Sequence, residues 1–408
     1  MSSEESILFA NNLIYQAPIP SSVCVNRCIK RQYFQNRTYS SQQTMTCQLN
    51  TGVDFVDTKN SALVLKVRVT GGANFTTGFG SGSAMNLVRN IRIYHRSGTC
   101  YTNTQRMNLF RKIEDRYNES AQWFDTIGTL MGYNSGNSIT NAVADQDVIT
   151  CLIPLDKLHP FFSPESSVFG PSQMFSGLRV EIDLATLGEA FVQQAGGALT
   201  DYVIDDVYIQ SMSCTLMDSA QASLNTVSQK QSLEYVYRDI FTSQNSQPSD
   251  STTINVDINR SVGFADHAFT SIQTQAQQNN VLVDSFTNPY YKGDWWYTLG
   301  SNQYPNQKVD DVKSAYSTAL VTFDKFKMSN MSPTIVAPLV FQNTDGIYSV
   351  SLERDTSLAL SQSPVNASRA LRFELTLDET IGVPTLVVVF MVYMSSARSS
   401  LLSSKVDI

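Results

Sequence analysis

Apolar and polar residues alternate along much of this chain, and a period of two residues is typical of strands with one buried face. The clearest example is the segment 178–184, LRVEIDL, in which four aliphatic residues alternate with three charged ones. Similar patterns predict further strands at 63–69, 86–94, 148–155, 202–217, 233–237, 254–258, 269–274, 335–341, 347–352, 371–377 and 386–394. Because they recur on both sides of residue 218, the pattern predicts two antiparallel β-sandwiches in tandem.

Two segments change to the helical period of 3.6 residues. In 104–118 an apolar stripe is predicted to face the core, and the charged residues Arg111, Lys112, Glu114 and Asp115 are predicted to face outward. In 311–323 a second helix is predicted, with Asp311 available as its N-cap. We therefore expect short helices in the loops of a protein that is otherwise all-β.

The pattern also divides the chain, whose 408 residues exceed what one hydrophobic core usually holds. The predicted units are an extended N-terminal arm at 1–44, a first domain at 45–218, a polar linker at 219–232, a second domain at 233–394 and a free C-terminal tail at 395–408. The aromatic-rich segment 276–309 is predicted as a long loop.

The amino-acid composition limits the classes of protein to which this chain can belong. Hydrophobic residues make up 42% of the chain and charged residues only 16%, which suits either burial against copies of itself or secretion. A net charge of −7 argues against a coat that binds nucleic acid along its whole surface. One basic cluster remains as a candidate for local nucleic-acid contact or for subunit contact: Arg27, Lys30, Arg31 and Arg37.

The six cysteines form no CxxC pair, and none of the three histidines lies near a cysteine at zinc-finger spacing, so we expect free thiols, no metal site and no cofactor. The N-terminus has acidic residues where a signal peptide needs basic ones, and the apolar run 386–394 is too short to span a bilayer. These features predict a soluble protein of intracellular origin with no transmembrane segment.

No residue pattern indicates an enzyme, and we predict no catalytic residue. His159 precedes a proline in a Phe-rich loop, where a structural role is expected. Asp205 and Asp206 are neighbours on a strand and point to opposite faces, while Asp310 and Asp311 fit helix capping. The Gly-rich segment 71–84 lacks the Lys-Ser/Thr of a phosphate loop.

Several of these segments, taken in order, resemble double jelly-roll major capsid proteins, with the closest likeness to those of virophages and Polinton-like viruses. The likeness rests on 86–98, on the helix before Trp123, on the Ile-Pro-Leu, Phe-Phe and Ser-Gly-Leu-Arg blocks within 151–184, and on the strand restart near Leu233. It covers about residues 44–394, and the chain is compact for the family, which implies short tower loops.

The resemblance implies two eight-stranded antiparallel jelly rolls. It further implies homotrimers that form pseudo-hexameric capsomers and tile an icosahedral shell around double-stranded DNA. The implied location is the virion, after synthesis in the host cytoplasm. The implied partners are neighbouring capsomers, a penton protein and minor capsid proteins. We expect the arm and the tail to be straps between capsomers, because flexible ends gain order by adding strands to a neighbour.

An alternative of another class remains open, because jelly rolls also build lectins. The aromatic residues Trp295, Trp296 and Tyr297 suit either a plug that seals a sandwich or a platform that stacks on a sugar. A single-barrel capsid protein with a large insertion is disfavoured by the restart of strand patterning after Leu233.

Overall fold

The computed structural model describes residues 24–71, 75–133, 139–141, 148–164, 172–193, 199–230, 233–275, 280–282, 284, 286–325, 336–352, 363–366, 369–399 and 406–407. In the first half of the chain the strands are β1 Cys24–Tyr33, β2 Tyr39–Ser40, β3 Thr44–Gln48, β4 Phe55–Gly71, β5 Phe75–Gly78, β6 Val88–Tyr94, β7 Cys100–Thr104, β8 Ile139–Asn141, β9 Val148–Pro154, β10 Arg179–Leu184, β11 Val192–Gln193 and β12 Leu199–Leu216. In the second half they are β13 Leu233–Gln247, β14 Thr253–Ile258, β15 Val262–Thr274, β16 Gly293–Leu299, β17 Asn302–Val309, β18 Tyr348–Ser351, β19 Ser363–Val365, β20 Leu371–Leu377, β21 Thr385–Ser399 and β22 Val406–Asp407.

The helices are short and lie between strands. They are α1 Met107–Asn118, α2 Ala121–Trp123, α3 Leu155–Leu158, α4 Ser172–Phe175, α5 Leu187–Ala190, α6 Asp218–Lys230, α7 Val312–Thr322 and α8 Pro338–Asn343. Two 3₁₀ turns, Ala84–Leu87 and Pro160–Phe162, and a π-helical turn, Phe124–Gly128, complete the described helical structure.

Eight strands of the first half form a jelly roll, which we call roll 1: β1, β3, β4, β6, β7, β9, β10 and β12. Within this series the first strand pairs with the eighth, the second with the seventh, the third with the sixth and the fourth with the fifth, all antiparallel. The result is two facing sheets, in the orders β1-β12-β4-β9 and β3-β10-β6-β7. A hairpin rolled up in this way is the defining connectivity of a jelly roll.

The second half repeats the connectivity, and we call it roll 2. Its eight main strands are β13, β14, β15, β16, β17, β18, β20 and β21. They pair in the same first-with-eighth series and form the sheets β13-β21-β15-β18 and β14-β20-β16-β17. The predicted fold class, two tandem eight-stranded jelly rolls with short helices in the loops, is therefore confirmed.

The alternating segments lie as the pattern predicts. In β10 the preceding Leu178 and then Val180, Ile182 and Leu184 are buried between the sheets, while the charged residues face outward. Helix α7 begins after Asp311, whose carboxylate accepts from the backbone N–H of Lys313 at 2.8 Å. The alternating pattern therefore predicted the strand correctly, and the pattern of 3.6 residues predicted the helix correctly.

Four expectations were wrong. Residues 24–33 of the predicted arm form β1 in the first sheet of roll 1, and residues 1–23 lie outside the described residues. Residues 395–399 of the predicted tail continue β21. The predicted loop 276–309 contains the hairpin of β16 and β17, and part of the predicted strand 335–341 belongs to helix α8. Strands β1, β21 and β16 form because they pair with β12, β13 and β20, which are distant in the sequence.

Candidate functional site

Helix α1 lies between the two rolls and packs on the outside of roll 2. The Phe110 ring lies 5.6 Å from the Phe269 ring on β15 and 5.5 Å from the Phe390 ring on β21, measured between centroids. Phe269 and Phe390 are a cross-strand pair. The next residue, Thr270, points to the other face, where its hydroxyl lies 2.6 Å from that of Tyr297 on the opposite sheet. Helix α1 therefore covers the outer face of the β13-β21-β15-β18 sheet.

A buried ion pair fixes the same helix to roll 2. The Lys112 ammonium donates to Asp345 Oδ1 at 2.5 Å and to the Phe286 carbonyl at 2.7 Å, and its side chain is almost fully buried. Arg116 Nε donates to Asp345 Oδ2 at 2.9 Å, and the Tyr117 hydroxyl donates to the Asp345 carbonyl at 2.7 Å. Burial alone would raise the pKa of Asp345, but the two cations outweigh it and hold that pKa below its usual range.

A second group of charges holds α1 to roll 1. The Asp115 carboxylate is fully buried, with Arg111 Nε at 3.1 Å, Lys157 Nζ at 3.4 Å and the Tyr133 hydroxyl at 3.1 Å. Burial raises the pKa of Asp115 even though Arg111 and Lys157 lower it. The helix is thus fixed on both sides by groups that are costly to separate once they are out of water.

Strand β13 at the edge of roll 2 packs against roll 1 through tyrosines. The Tyr235 hydroxyl donates to the Phe161 carbonyl at 2.6 Å, and the Tyr237 hydroxyl donates to the Tyr101 carbonyl at 3.0 Å. Both tyrosine rings contact the Phe161 ring, with centroids 5.3 and 4.9 Å away. The Phe-Phe loop of roll 1 is therefore a contact of the junction between the rolls.

Asp239 lies at the centre of this edge. Its carboxylate accepts from the Thr102 hydroxyl at 2.5 Å, from the Tyr393 hydroxyl at 2.6 Å and from the Ile240 backbone N–H at 2.8 Å. Burial raises its pKa, although these hydrogen bonds act in the opposite direction. A carboxylate from roll 2 is thus hydrogen-bonded by a strand of roll 1.

His159 is buried in the same junction, in the environment expected of a structural histidine. Its Nδ1 accepts from the Phe161 backbone N–H at 3.0 Å, which leaves the proton on Nε2, 2.9 Å from the Thr104 hydroxyl. Burial, with the nearby charge of Arg111, lowers its pKa to about 3. The imidazole is therefore neutral, and its hydrogen bonds link the Phe161 backbone N–H to the Thr104 hydroxyl.

A cavity of about 280 Å³ opens beside Asp239, and its lining includes Asn103, Arg260 and Tyr393. Both carboxylate oxygens are already occupied by hydroxyl donors, so Asp239 is not placed to take a proton from a ligand. Within the described ranges no group of three or more His, Cys, Asp or Glu side chains is arranged to hold a metal ion. No helix in the described part of the chain is long and apolar enough to cross a membrane.

Four of the charged residues singled out in the sequence, Arg27, Lys30, Asp205 and Asp206, form ion pairs within roll 1. Arg27 bonds Asp57, and Lys30 Nζ lies 2.6 Å from Asp54 Oδ2. On β12, Asp205 accepts from Arg68 of β4 in bidentate geometry, with both distances at 2.8 Å. The neighbouring Asp206 pairs instead with Lys66, whose Nζ lies 3.6 Å from Asp206 Oδ2. The adjacent aspartates therefore have separate partners and do not form one site.

Two of the three aromatic residues suggested for sugar stacking are inaccessible. Trp295 and Tyr297 are buried in the core of roll 2, and Trp295 Nε1 donates to the Tyr290 hydroxyl at 3.2 Å. Trp296 points to the other side of β16 and is half-buried. This arrangement matches the plug interpretation.

The junction itself was not predicted, and the outward orientation predicted for Arg111, Lys112 and Asp115 was wrong. All three side chains are buried, because roll 2 covers one side of α1 and the side chains of Tyr133 and Lys157 lie on the other. Lys112 and Asp345 are separated by 233 positions, so no local pattern could have paired them.

The sequence and the structure of this chain were compared with those of known proteins. Neither the protein-family models nor the curated proteins contain a match to the sequence. Among solved structures the chain is similar to the Faustovirus major capsid protein, with 7% identity, a TM-score of 0.67, and coverage of 97% of this chain and 94% of that one. It is similar to a chain in the structure of the Sputnik virophage, with 9% identity, a TM-score of 0.61, and coverage of 96% and 90%. It is also similar to the mavirus major capsid protein, with 8% identity, a TM-score of 0.56, and coverage of 98% and 94%.

Because the sequence identities are 7–9%, the comparisons show the fold that this chain shares with these proteins. The likeness extends over nearly the whole of both chains in each pair, so it includes both rolls. The resemblance to double jelly-roll major capsid proteins that the sequence suggested is confirmed at this level. The chain has the double jelly-roll fold.

Proposed function

We propose that this chain is a viral major capsid protein, and that three copies associate into a pseudo-hexameric capsomer that tiles an icosahedral shell around double-stranded DNA. One observation carries the proposal: two jelly rolls lie side by side in one chain, and the pair superposes over 97% of the chain on the Faustovirus major capsid protein. Six rolls from three such chains would supply the pseudo-hexagonal outline.

The junction supports a mechanism of assembly rather than catalysis. Lys112, Asp115 and Asp345 are buried charges whose partners come from different parts of the chain, and such networks hold only when the geometry is fixed. Two rolls held at a fixed angle form a rigid building block. The function is therefore proposed to be structural, with no enzymatic activity.

The charge distribution supports a shell that contacts its genome weakly. The net charge is −7, and two of the four residues in the basic cluster, Arg27 and Lys30, already pair with aspartates. Phosphate binding needs cations that are free to displace counterions. The proposed partners are accordingly other copies of this chain, a penton protein and minor capsid proteins, within the virion.

We further propose that the boundary between the two domains lies in the predicted linker, 219–232. Helix α6, Asp218–Lys230, follows the last strand of roll 1 and precedes the first strand of roll 2. The glycan-binding alternative is disfavoured, because Trp295 and Tyr297 are core residues.

The experiment that tests the proposal is the solution mass of the purified chain by light scattering behind a sizing column at moderate salt. A capsomer should have three times the chain mass of 45.3 kDa, about 136 kDa. Electron microscopy of concentrated protein should then show shells or hexagonal tiles. A monomer at micromolar concentration would contradict the proposal.

A further inference from the structure

Two cysteines meet on the outside of roll 1, at the edge where its first strand pairs with its last. All six cysteines are free thiols in the structure. Cys24 is the first residue of β1, and Cys214 lies near the end of β12, the antiparallel neighbour of β1. In the pairing Arg27 lies opposite Cys214, and Cys24 lies opposite Leu216. Cys24 and Cys214 are therefore diagonal neighbours on adjacent strands.

A β-bulge decides which face of the sheet Cys24 uses. The register shifts between Cys24 and Asn26, so Val25 is an extra residue in β1. In a regular strand side chains alternate, and Cys24 would then lie on the opposite face from Arg27. The extra residue reverses the alternation at this point and returns Cys24 to the face of Arg27 and Cys214.

This face is turned away from the core of roll 1. Ser213 shares its face of β12 with the core residue Ile209, so the adjacent Cys214 points the other way. Arg27, which lies on the same face as Cys214, has a side chain that is 49% exposed. The two thiols are thus close to solvent and are not enclosed between the two sheets.

The two thiols are in direct contact. The Cys214 thiol donates a hydrogen bond to the Cys24 sulfur. Cys24 Sγ in turn donates to the Asn26 carbonyl oxygen, 3.1 Å away. Cys214 is fully buried, whereas Cys24 is half-buried. A reagent in solution therefore reaches Cys24 first.

The surroundings of Cys214 keep this thiol protonated at neutral pH. Burial raises the pKa of Cys214 to about 11, and the nearby Cys24 and Asp57 act in the same direction, against Arg27. A protonated thiol is a poor nucleophile. Cys214 is therefore suited to react second, with a sulfur that is already beside it.

We propose that Cys24 and Cys214 form a reversible disulfide that joins the first strand of roll 1 to its last strand. The oxidant is a small-molecule disulfide such as oxidised glutathione. The bridge needs only the fold of roll 1, so it does not depend on the capsid function proposed above.

The reaction consists of two successive thiol–disulfide exchanges. Cys24 loses its proton to solvent and its sulfur attacks the oxidant, so that the S–S bond of the oxidant breaks and one thiolate leaves. Cys214 then loses its proton to solvent and attacks the Cys24 sulfur of the mixed disulfide, which releases the second thiolate. Two protein thiols are oxidised, and one molecule of the oxidant is reduced to two thiols.

The bridge acts on an edge of the fold. In the sheet order β1-β12-β4-β9 the strand β1 has a neighbour on one side only, and a covalent bond at Cys24 holds its first residue on β12. Chain ends and weakly packed edges are the first parts of a fold to open. Because glutathione keeps thiols reduced in the cytosol, we expect the bridge to form after the protein meets an oxidising medium.

The bridge also changes the unfolded chain. It closes a loop of roughly 190 residues, from position 24 to position 214, and therefore restricts the unfolded state strongly. The thermal midpoint of the oxidised protein should consequently lie about 5 °C above that of the reduced protein.

The test exposes the folded full chain to oxidised and reduced glutathione in a series of ratios, blocks the remaining thiols with iodoacetamide and digests the unreduced protein with trypsin. The sequence places Cys24 in the peptide 1–27, Cys28 in 28–30 and Cys214 in 180–230, and each peptide has one cysteine. Mass spectrometry should show peptides 1–27 and 180–230 joined, with the loss of two hydrogen atoms. Reduction should separate them.

Cys28→Ser is the matched control, because Cys28 lies on the same strand but pairs with Ser213, on the opposite face from Cys214. This variant should keep both the joined peptide and the shift in midpoint. Cys24→Ser should lose both, and it should remain folded because Cys24 is only half-buried. Cys214→Ser should also lose both, and circular dichroism shows whether each variant is folded.

Three results would each overturn the inference. Glutathione attached to Cys24 without the joined peptide would show that Cys214 is not placed to complete the exchange. A joined peptide that forms only in urea would show that the native geometry does not permit the bridge. Equal midpoints for the oxidised and reduced wild type would show that the bridge does not restrain the chain. None of these results concerns the mass of the capsomer, so the capsid proposal is tested separately.

Discussion

Lys112 shows how strongly single residues contribute to the junction. It is an ammonium group with almost no contact with water, and its partners, Asp345 and the Phe286 carbonyl, both belong to roll 2. Loss of one member of a buried pair leaves the other without compensation, which is more costly than loss of the whole pair.

Lys112→Met should therefore lower the free energy of unfolding by about 3 kcal/mol, because Asp345 would keep only Arg116 as a charged partner. Urea denaturation at pH 7 measures this. The matched control is Lys66→Met, which removes a 45%-exposed side chain from its 3.6 Å contact with Asp206 and should cost less than about 1 kcal/mol. Equal costs for the two variants would show that Lys112 is not part of a buried pair.

His159 makes the stability of the junction depend on pH. Its pKa is lowered to about 3 in the folded chain from its ordinary value of 6.5, so the unfolded chain binds a proton first as the pH falls. The stability that neutral His159 contributes is complete above pH 6.5 and is lost progressively between that pH and about 3.

His159→Gln should remove this dependence while it keeps a side chain that can both donate and accept. Between pH 6 and pH 4 the wild type should lose up to about 1.4 kcal/mol per pH unit more than the variant. Unfolding curves at several pH values give the difference, from which the titration of groups remote from His159 cancels. Parallel curves for the two proteins would contradict the assignment.

At the scale of elements, strand β1 closes one edge of roll 1. It pairs with β12 from Cys24 to Tyr33, and the following segment adds Phe34 and Tyr39, which are both buried in the core. Residues 24–40 therefore belong to the domain, although the sequence pattern had suggested an arm.

Deletion of residues 1–40 should consequently prevent folding of roll 1, since it removes β1 and β2 and leaves the β12 edge without partners. Deletion of residues 1–23 removes none of the described strands and is the matched control. Circular dichroism and gel filtration distinguish the two. A soluble, folded protein lacking residues 1–40 would show that β1 is dispensable.

At the scale of the whole molecule, the two rolls form one unit rather than two linked domains. Interfaces between domains are commonly polar and permit relative motion. Here aromatic rings of α1, β15 and β21 stack across the junction, and buried charges from both rolls pair there. We therefore expect the rolls to unfold together.

Calorimetry should show one thermal transition for the wild type. Phe110→Ala removes the ring that contacts both Phe269 and Phe390, so it should divide the transition in two. The matched control, Phe191→Ala, removes a ring of equal size that stacks on Phe79 inside roll 1 at 5.0 Å, and it should lower the midpoint without division. Two transitions in the wild type would contradict a coupled unit.

Much of the secondary structure could be predicted, since alternation survives wherever a strand has one apolar face. Residues 371–377 were predicted as a strand and form β20 with those bounds. Strand β1 was missed because CVNRCIKRQY mixes basic and apolar residues on its exposed face. Helix α8 was taken for a strand because a short apolar run has no distinctive period.

The sequence by itself determined the two cores, the type of most elements and the absence of a recognisable catalytic motif, because these depend on local periods and on residue chemistry. Only the tertiary structure decided the jelly-roll pairing and the burial of Lys112 and Asp239. These depend on contacts between residues more than 100 positions apart, such as Thr102 with Asp239 at a separation of 137. A local pattern records which face of an element is apolar but not which distant element will cover it.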